Sequence, residues 1–115
     1  MGLARQYRLT KSDNFLEIKK NARKILSGGY SFYICLNNRD ISRLAVIVSE
    51  KLGNACLRHR LKRIVQEVFR LNNRSFTKNV DIIIIARNEI SPTVCYSDFE
   101  CCFLSAFQKA NLLKV

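Results

Sequence analysis

Residues 43–72, RLAVIVSEKLGNACLRHRLKRIVQEVFRLN, contain the two patterns that decide the fold. Aliphatic and β-branched side chains dominate the first seven positions, which predicts a strand over 43–49. The stretch 51–54 (KLGN) interrupts this strand. Apolar residues then recur every three or four positions, which predicts a helix over 55–72. A strand that leads directly into a long amphipathic helix indicates a domain that contains both kinds of element.

The predicted helix separates apolar from basic side chains. At about 100° per residue, one arc of about 120° contains the apolar set, Leu57, Leu61, Ile64, Val65, Val68 and Leu71. The opposite side contains Arg58, His59, Lys62, Arg63, Gln66 and Arg70, with Arg60 at one edge. We expect the apolar arc to pack in the core and the basic side to face solvent.

An earlier helix is predicted near the N-terminus. The stretch 10–13 (TKSD) is typical of a capping box, because a side-chain acceptor is followed three residues later by a carboxylate. The stretch 27–29 (SGG) is typical of a helix end. Between these two signals the apolar residues keep helical spacing, at Phe15, Ile18, Ala22 and Ile25.

The remaining elements are two strands and a last helix. Residues 30–36 predict a strand, which the polar turn 37–40 would join to strand 43–49 as an antiparallel hairpin. The apolar run 82–86 predicts a fully buried strand. A second capping box at 97–100 opens the last helix. Its apolar stripe consists of Phe99, Cys102, Phe103, Ala106, Phe107 and Ala110.

The predicted order is therefore α-β-β-α-β-α. Because helices and strands do not alternate regularly, this order indicates an α+β fold with one small sheet and helices packed against a face. With 115 residues, of which 48% are hydrophobic, the chain is expected to form a single domain over 1–115. No apolar run is long enough for a membrane span, so we expect no membrane-spanning segment.

The charge is concentrated in two segments. Twenty Lys and Arg residues against nine Asp and Glu give a net charge of +11. Residues 1–24 carry a net +5 and residues 51–74 a net +6, whereas 25–50 and 75–115 are each neutral. Solubility alone would scatter the basic residues. The concentration indicates a polyanionic partner, and nucleic acid is the first candidate.

No catalytic group or metal site is predicted. The cysteines show neither a CxxC pair nor a histidine at zinc spacing, so buried, reduced thiols in a cytosolic protein are expected. His59 is the only histidine and has no obvious carboxylate partner, and the acidic residues are too scattered for a two-metal site. The five cysteines are Cys35, Cys56, Cys95, Cys101 and Cys102.

Residues 43–63 resemble the characteristic motif of the bacterial ribonuclease P protein family. In that family a short strand leads through a Ser-Lys-Lys-Gly-Asn-Ala-like turn into an Arg-Asn-Arg-x-Lys-Arg helix. The resemblance extends upstream to 8–12 with Phe15, and downstream to 67–70 and 81–87, in the same order. It therefore covers most of the chain.

Two residues depart from the family pattern. His59 stands where the family usually has Asn, and it keeps the capacity to form hydrogen bonds. Gln66 stands at a commonly basic position, so this helix face is less basic than the resemblance would imply.

The resemblance implies both a fold and a function. The fold is a mixed sheet in which the basic helix makes a left-handed crossover between two parallel strands, like one domain of certain ribosomal proteins. The function is that of the protein subunit of ribonuclease P. In that ribonucleoprotein the RNA subunit holds the catalytic Mg²⁺ ions, and the protein has no cofactor of its own. The protein would be a cytoplasmic monomer in a 1:1 complex, and it would help the catalytic RNA bind precursor tRNA and its 5′ leader.

The resemblance also implies a surface for the catalytic RNA. It consists of the basic helix and the turn before it, where arginines can bind phosphates with two parallel hydrogen bonds. Asn54 is explained equally well as a helix N-cap. The residues expected to contact the catalytic RNA are Lys51, Asn54, Arg58, His59, Arg60, Lys62, Arg63 and Arg70.

A second surface is expected to bind the 5′ leader, in a cleft between the first helix and the open face of the sheet. Strand alternation makes this face the one with Ser31, Tyr33, Cys35, Ala45, Ile47 and Ser49. Lys19 stands where the family has an aromatic residue, and Phe15 is also compatible with simple core packing. The residues expected to contact the leader are Phe15, Tyr33, Lys19 and Arg8.

Three other functions are alternatives to that of a ribonuclease P subunit. A ribosomal or other structural RNA-binding protein could use the same basic helix. A stand-alone metal-dependent nuclease would need an acidic cluster that the sequence lacks. A helix that reads the DNA major groove is disfavoured, because no helix-turn-helix pairing precedes it.

Overall fold

The computed structural model describes residues 4–9, 15–87 and 93–113. In chain order the elements are α1 (Phe15–Asn21), β1 (Arg23–Ser27), β2 (Tyr30–Leu36), β3 (Arg43–Val48), α2 (Ala55–Asn72), β4 (Val80–Ala86) and α3 (Tyr96–Lys109). Short 3₁₀ turns cover Arg5–Tyr7, Glu50–Leu52 and Asn73–Ser75. The predicted α+β class is confirmed. None of the described helices has both the length and the apolar character that a membrane crossing requires.

The strands form one mixed sheet in the order β1-β2-β4-β3. β2 pairs antiparallel with β1 on one edge and with β4 on the other, whereas β3 and β4 run parallel. The helix α2 therefore connects two parallel neighbouring strands, as the family resemblance implies. The left hand of this crossover stays a prediction.

The prediction of one continuous helix up to residue 27 is wrong, because α1 ends at Asn21 and β1 follows it. Gly28 and Gly29 have positive φ angles of 56° and 85°, which suits a two-residue hairpin turn and returns the chain along β2. Ile25 is buried in the core opposite Phe32. Pairing with β2 thus outweighs helical apolar spacing, and the order of elements becomes α-β-β-β-α-β-α.

The predicted hairpin of β2 with β3 is also wrong, because β4 lies between them. Ile82, Ile83 and Ile84 of β4 are fully buried, so this strand is apolar on both faces. Such a strand is typical of the middle of a sheet, with a partner on each edge. The connection from β2 to β3 passes the start of β4. There the backbone N–H of Asn37 donates to the backbone carbonyl oxygen of Asn79 at 3.1 Å.

The sheet separates two apolar clusters. The larger one lies between the sheet and the helices α2 and α3, and its fully buried aromatic rings are Tyr30, Phe32, Phe69, Phe99, Phe103 and Phe107. The smaller one lies on the other face, with α1, and consists of Leu9, Ala45, Ile83, Phe15, Ile18, Tyr33 and Ile85. The prediction of which strand residues lie on which face of the sheet is confirmed. The face expected to be open is partly covered, however, since Ser31 and Ala45 are buried.

The last helix begins earlier than its predicted capping box at 97–100. Cys95 is the N-cap of α3, and its backbone N–H donates to Asp98 Oδ2 at 3.3 Å. The predicted stripe is confirmed at its centre, where Phe99, Phe103 and Phe107 are fully buried. The first predicted capping box, at 10–13, lies outside the described residues.

A buried ion pair fastens the start of β4 to its surroundings. Arg43 on β3 donates from Nε to Asp81 Oδ1 at 3.0 Å and from Nη2 to Oδ2 at 2.8 Å. Asn37 Nδ2 donates to the same Oδ1 at 2.8 Å and also to the carbonyl oxygen of Ile41 at 3.3 Å. This network joins β3, β4 and the connection between β2 and β3.

Replacing the buried carboxylate tests this network. We expect Asp81→Asn to lower the free energy of unfolding by about 3 kcal/mol, because it removes the buried negative charge that accepts two hydrogen bonds from Arg43. Urea denaturation measures the change. The control is Glu67→Gln, which breaks an exposed ion pair with Arg70 and should leave the denaturation midpoint unchanged. Equal effects of the two substitutions would contradict the prediction.

Candidate nucleic-acid interface

The turn before α2 is held by two side-chain caps. Asn54 Oδ1 accepts a hydrogen bond from the Leu57 backbone N–H at 2.9 Å, which satisfies a free donor at the helix start. Ser49 Oγ accepts from the Lys51 N–H at 3.2 Å. The interpretation of Asn54 as an N-cap is confirmed, and its contact with RNA stays a prediction. The Lys51 side chain is exposed on the same turn.

The helix α2 spans the predicted residues, but it is rotated relative to the predicted apolar arc. Phe69, outside that arc, is fully buried, and its ring lies 6.2 Å from the Phe76 ring. Leu71, inside the arc, is 54% exposed. The rotation also draws Arg58 inward: it is half-buried, and its Nε atom is buried with no hydrogen-bond partner in the described part of the chain. Arg58, predicted on the basic outer side of the helix, therefore lies at the border between the packed and the exposed sides of α2.

The polar side chains in the first part of α2 form two rows on different flanks of the helix. Arg58, Lys62 and Gln66, spaced by four residues, form the cleft row. Lys62 and Gln66 of this row line a cleft beside the edge of β3. His59 and Arg63 form the outer row, and both line a shallow depression on the other flank.

Two of the arginines predicted to contact RNA are engaged within the protein. Arg60 Nη2 donates to the Val94 carbonyl oxygen, so this side chain fastens α2 to the segment before α3. Arg70 pairs with Glu67, donating from Nε to Oε2 at 3.1 Å. This hydrogen bond lowers the pKa of Glu67 and raises the pKa of Arg70 from their ordinary values. The sequence did not reveal that these two arginines have partners.

The cleft has a volume of about 280 Å³ and lies between α1 and α2. Phe15 lines it from α1 and is half-buried, so its ring is accessible from the cleft. Arg8 lines it as well, from a segment that extends the sheet beside β3, where the Leu9 N–H donates to the Leu44 carbonyl oxygen at 2.8 Å. The cleft thus has an aromatic wall with cationic side chains on two sides.

The predicted leader residues Tyr33 and Lys19 lie next to each other on the sheet face that carries α1. The Lys19 ammonium nitrogen lies 5.0 Å from the centre of the Tyr33 ring. Lys24 approaches the same ring, at 5.6 Å. Lys24 was not among the predicted site residues, because the sequence placed it on a helix rather than on β1.

The five cysteines are free thiols, as predicted, but the prediction that they are buried is wrong. Cys35 and Cys102 are half-buried, and burial raises the pKa of both thiols. The other three are exposed. Within residues 4–9, 15–87 and 93–113, no three His, Cys, Asp or Glu side chains come together as metal ligands.

The fold and the site together define a small α+β protein whose cations line a cleft and one helix flank, an arrangement suited to a polyanion. The chain belongs to the ribonuclease P protein family: the family model for ribonuclease P matches residues 3–111. It is a bacterial protein component of the ribonuclease P endoribonuclease, a ribonucleoprotein of tRNA 5′ processing, and its partner is the ribonuclease P RNA.

Curated relatives and solved structures agree with this assignment. The ribonuclease P protein component of Alkaliphilus oremlandii is 32% identical over 106 residues, 92% of each chain. That of Lachnoclostridium phytofermentans is 37% identical over 79 residues, 69% of this chain and 68% of its own. The solved RNase P protein of Staphylococcus aureus has a TM-score of 0.80 and 30% identity, covering 94% of this chain and 98% of its own. The Thermotoga maritima protein has a TM-score of 0.79 and 30% identity, covering 89% and 96%.

The rotation of α2 can be tested by stability. Phe69→Ala should lower the free energy of unfolding by about 3–5 kcal/mol, because it empties a fully buried ring position. Leu71→Ala removes a mostly exposed side chain, so it should change the free energy of unfolding by about 0.5 kcal/mol or less. Chemical denaturation of both variants provides the measurement. A larger loss for Leu71→Ala than for Phe69→Ala would restore the apolar arc expected from the sequence.

Proposed function

We propose that this protein binds two RNA segments at once, the catalytic RNA through the outer row and the 5′ leader of precursor tRNA through the cleft. The observation that carries the proposal is the cleft itself, which the accessible Phe15 ring lines together with Arg8 and Lys62. An aromatic face beside cations is how proteins hold single-stranded RNA with little sequence preference.

The outer row suits the phosphates of a folded RNA. His59 and Arg63 lie on the solvent side of α2, and the exposed Lys51 lies on the turn before the helix start, where the helix dipole also favours anions. Arg60 and Arg70 contribute mainly to the positive electrostatic potential of this surface, because their guanidinium groups already have hydrogen-bond partners. Asn54 supports this surface by capping the helix that carries it.

The cleft row suits the leader. Arg58 belongs to the same row, and its half-buried guanidinium adds positive charge on this flank of α2. Gln66 offers an amide at the position where the family commonly has a cation, which lets it hydrogen bond to RNA without adding charge.

The protein's part in the reaction is to bind and orient the substrate. The catalytic RNA would hold the Mg²⁺ ions, which supply the Lewis-acid chemistry of phosphodiester hydrolysis. The cations of this chain would neutralise repulsion between the catalytic RNA and the leader, and so lower the Mg²⁺ concentration that the complex needs. We further propose a single RNA-binding domain over 1–115 that acts as a monomer, in a 1:1 complex, in the cytoplasm.

Cleavage of precursor tRNA by the cognate catalytic RNA at low Mg²⁺ tests the proposed function. We expect the protein to stimulate cleavage when a 5′ leader is present. The protein alone, freed of RNA by nuclease treatment, should show no cleavage with or without Mg²⁺. Cleavage by the RNA-free protein would instead indicate a stand-alone nuclease. Tight binding to ribosomal RNA with no stimulation of cleavage would indicate a structural RNA-binding protein.

Two adjacent cations separate the two surfaces. Lys62 faces the cleft and Arg63 faces the outer depression, and both side chains are exposed. Arg63→Gln should weaken assembly with the catalytic RNA and make its log–log salt dependence shallower by about 0.7–0.9, the contribution of one phosphate contact. Lys62→Gln should leave assembly unchanged and weaken the binding of substrate that carries a leader. Filter binding at several salt concentrations measures both.

Phe15→Ala provides the second arm of this experiment. It should weaken the binding of leader-bearing substrate by about 1–3 kcal/mol, because a base can no longer stack on the ring. The binding of mature tRNA should be unchanged. Equal losses of assembly and of substrate in all three variants would contradict the two-surface arrangement and indicate one continuous RNA footprint.

A further inference from the structure

The C-terminal end of α2 borders two depressions that belong neither to the cleft nor to the outer row. Their volumes are about 320 Å³ and 460 Å³. Tyr7, Asn73 and Arg74 line both of them and so form their common border. The larger depression is also lined by Asp40, on the connection between β2 and β3. An aromatic residue, a cation and a carboxylate thus come together at this end of the helix.

Two sides of this border are fixed by hydrogen bonds. Tyr7 ends a 3₁₀ turn, in which its N–H donates to the Ala4 carbonyl oxygen at 3.0 Å. The Tyr7 side chain is half-buried, because it packs partly against the larger apolar cluster. Asn73 caps the end of α2, where its Nδ2 donates to the carbonyl oxygens of Phe69 and Arg70 at 3.1 Å each.

Asp40 is held between two anchored neighbours. Asn79 Nδ2 donates to the Arg39 carbonyl oxygen at 2.8 Å, and Asn37 Nδ2 donates to the Ile41 carbonyl oxygen at 3.3 Å. The Asp40 side chain is exposed and forms no ion pair with any residue in the described part of the chain. In a protein with a net charge of +11, this carboxylate therefore remains able to accept hydrogen bonds from a ligand.

The groups at this place match one kind of nucleobase. An ionised carboxylate only accepts hydrogen bonds, and its two oxygens can accept from two adjacent donors. Guanine is the base whose Watson–Crick edge carries two adjacent donors, N1–H and N2–H₂. Proteins commonly recognise an unpaired RNA base by stacking it on an aromatic ring and hydrogen bonding to this edge.

Arg74 completes the set with a group for the phosphate. Its side chain is exposed, and within residues 4–9, 15–87 and 93–113 it forms no ion pair. A guanidinium can bind a phosphate with two parallel hydrogen bonds. The three side chains thus offer one partner each to the base face, the base edge and the backbone of a nucleotide.

We propose that Tyr7, Asp40 and Arg74 form a binding site for one unpaired guanine nucleotide of the catalytic RNA. The catalytic RNA is the source because its sequence is fixed. Leaders differ from one precursor tRNA to the next, and a base-specific site would reject most of them. The inference goes beyond the proposed function: it requires the ribonuclease P RNA as partner, but neither the cleft nor the outer row.

The sign of one charge change tests the site. Removing a negative charge from a protein ordinarily strengthens its binding to a polyanion. Asp40→Asn should instead weaken assembly of the full chain with the cognate catalytic RNA about tenfold, because an amide oxygen cannot replace both carboxylate acceptors. The log–log salt dependence should not change, since no phosphate contact is lost. Filter binding at several salt concentrations measures both quantities.

The matched control is Glu50→Gln, which removes the same charge from an exposed residue before the other end of α2. It should leave the affinity for the catalytic RNA unchanged or strengthen it. Equal effects of Asp40→Asn and Glu50→Gln would overturn the site.

The other two members of the site have their own variants. Arg74→Gln should make the salt dependence of assembly shallower by about 0.7–0.9, the contribution of one phosphate contact. Tyr7→Leu keeps an apolar side chain against the core but removes the ring, and should weaken assembly about tenfold. Tyr7→Phe should recover most of this loss. If thermal denaturation showed that Tyr7→Leu is unfolded, the exposed substitutions Asp40→Asn and Arg74→Gln would decide.

Chemical probing locates the nucleotide. Kethoxal reacts with N1 and N2 of unpaired guanines, the atoms that Asp40 would engage. One guanine of the catalytic RNA should lose its reactivity when the unmodified protein binds, and regain it with Asp40→Asn. Inosine at that position, which lacks the N2 amino group, should weaken binding of the unmodified protein but not further weaken binding of Asp40→Asn.

Two results of the probing would overturn the proposal: no guanine that regains reactivity with Asp40→Asn, or a protected guanine that lies in the precursor tRNA instead. The proposed function is tested separately by Arg63→Gln. If that substitution still weakened assembly, the proposed function would stand without the guanine site. If it did not, the proposed outer row would fail while the guanine site remained.

Discussion

The burial of β4 on both faces and both edges is the constraint on which the rest of the structure depends. Its isoleucines alternate between the two clusters, with Ile82 and Ile84 in the larger one and Ile83 in the smaller. Both faces of the sheet must therefore be covered to keep apolar surface from water. The two long helices α2 and α3 cover most of one face. The seven-residue α1 covers only part of the other, and the uncovered remainder beside β3 is the cleft.

Some basic side chains of α2 already have hydrogen-bond partners within the protein, and this decides which of them are available to bind RNA. A guanidinium that already donates to a carbonyl or a carboxylate, as in Arg60 and Arg70, has fewer donors left for a phosphate. Lys62 and Arg63 remain exposed on the two flanks of α2. Adjacent residues of a helix diverge by about 100°, so one short stretch can serve two RNA segments.

The cluster around Tyr33 shows how strand pairing and helix packing place charge beside an aromatic ring. Lys19 comes from α1 and Lys24 from β1, and their ammonium nitrogens lie 5.0 Å and 5.6 Å from the centre of the Tyr33 ring. Two cations from separate elements are thus positioned on the sheet face that carries α1.

The sequence by itself determined the features that depend on neighbours along the chain. The helix over 55–72, the strand over 30–36 and the aromatic stripe of α3 follow from apolar periodicity, and the family follows from residues 43–63. The concentration of charge in two segments is likewise visible in the sequence alone.

Only the tertiary structure decided which distant residues meet. Ile25 continues the helical apolar spacing of the residues before it, but residues 23–27 form a strand because they pair with β2 after the turn at Gly28 and Gly29. The rotation of α2 depends on the aromatic core that receives Phe69, and the position of Lys24 depends on the strand that pairs with β1. Local periodicity is a property of the chain, whereas pairing and packing depend on the competition among all surfaces that the fold must bury.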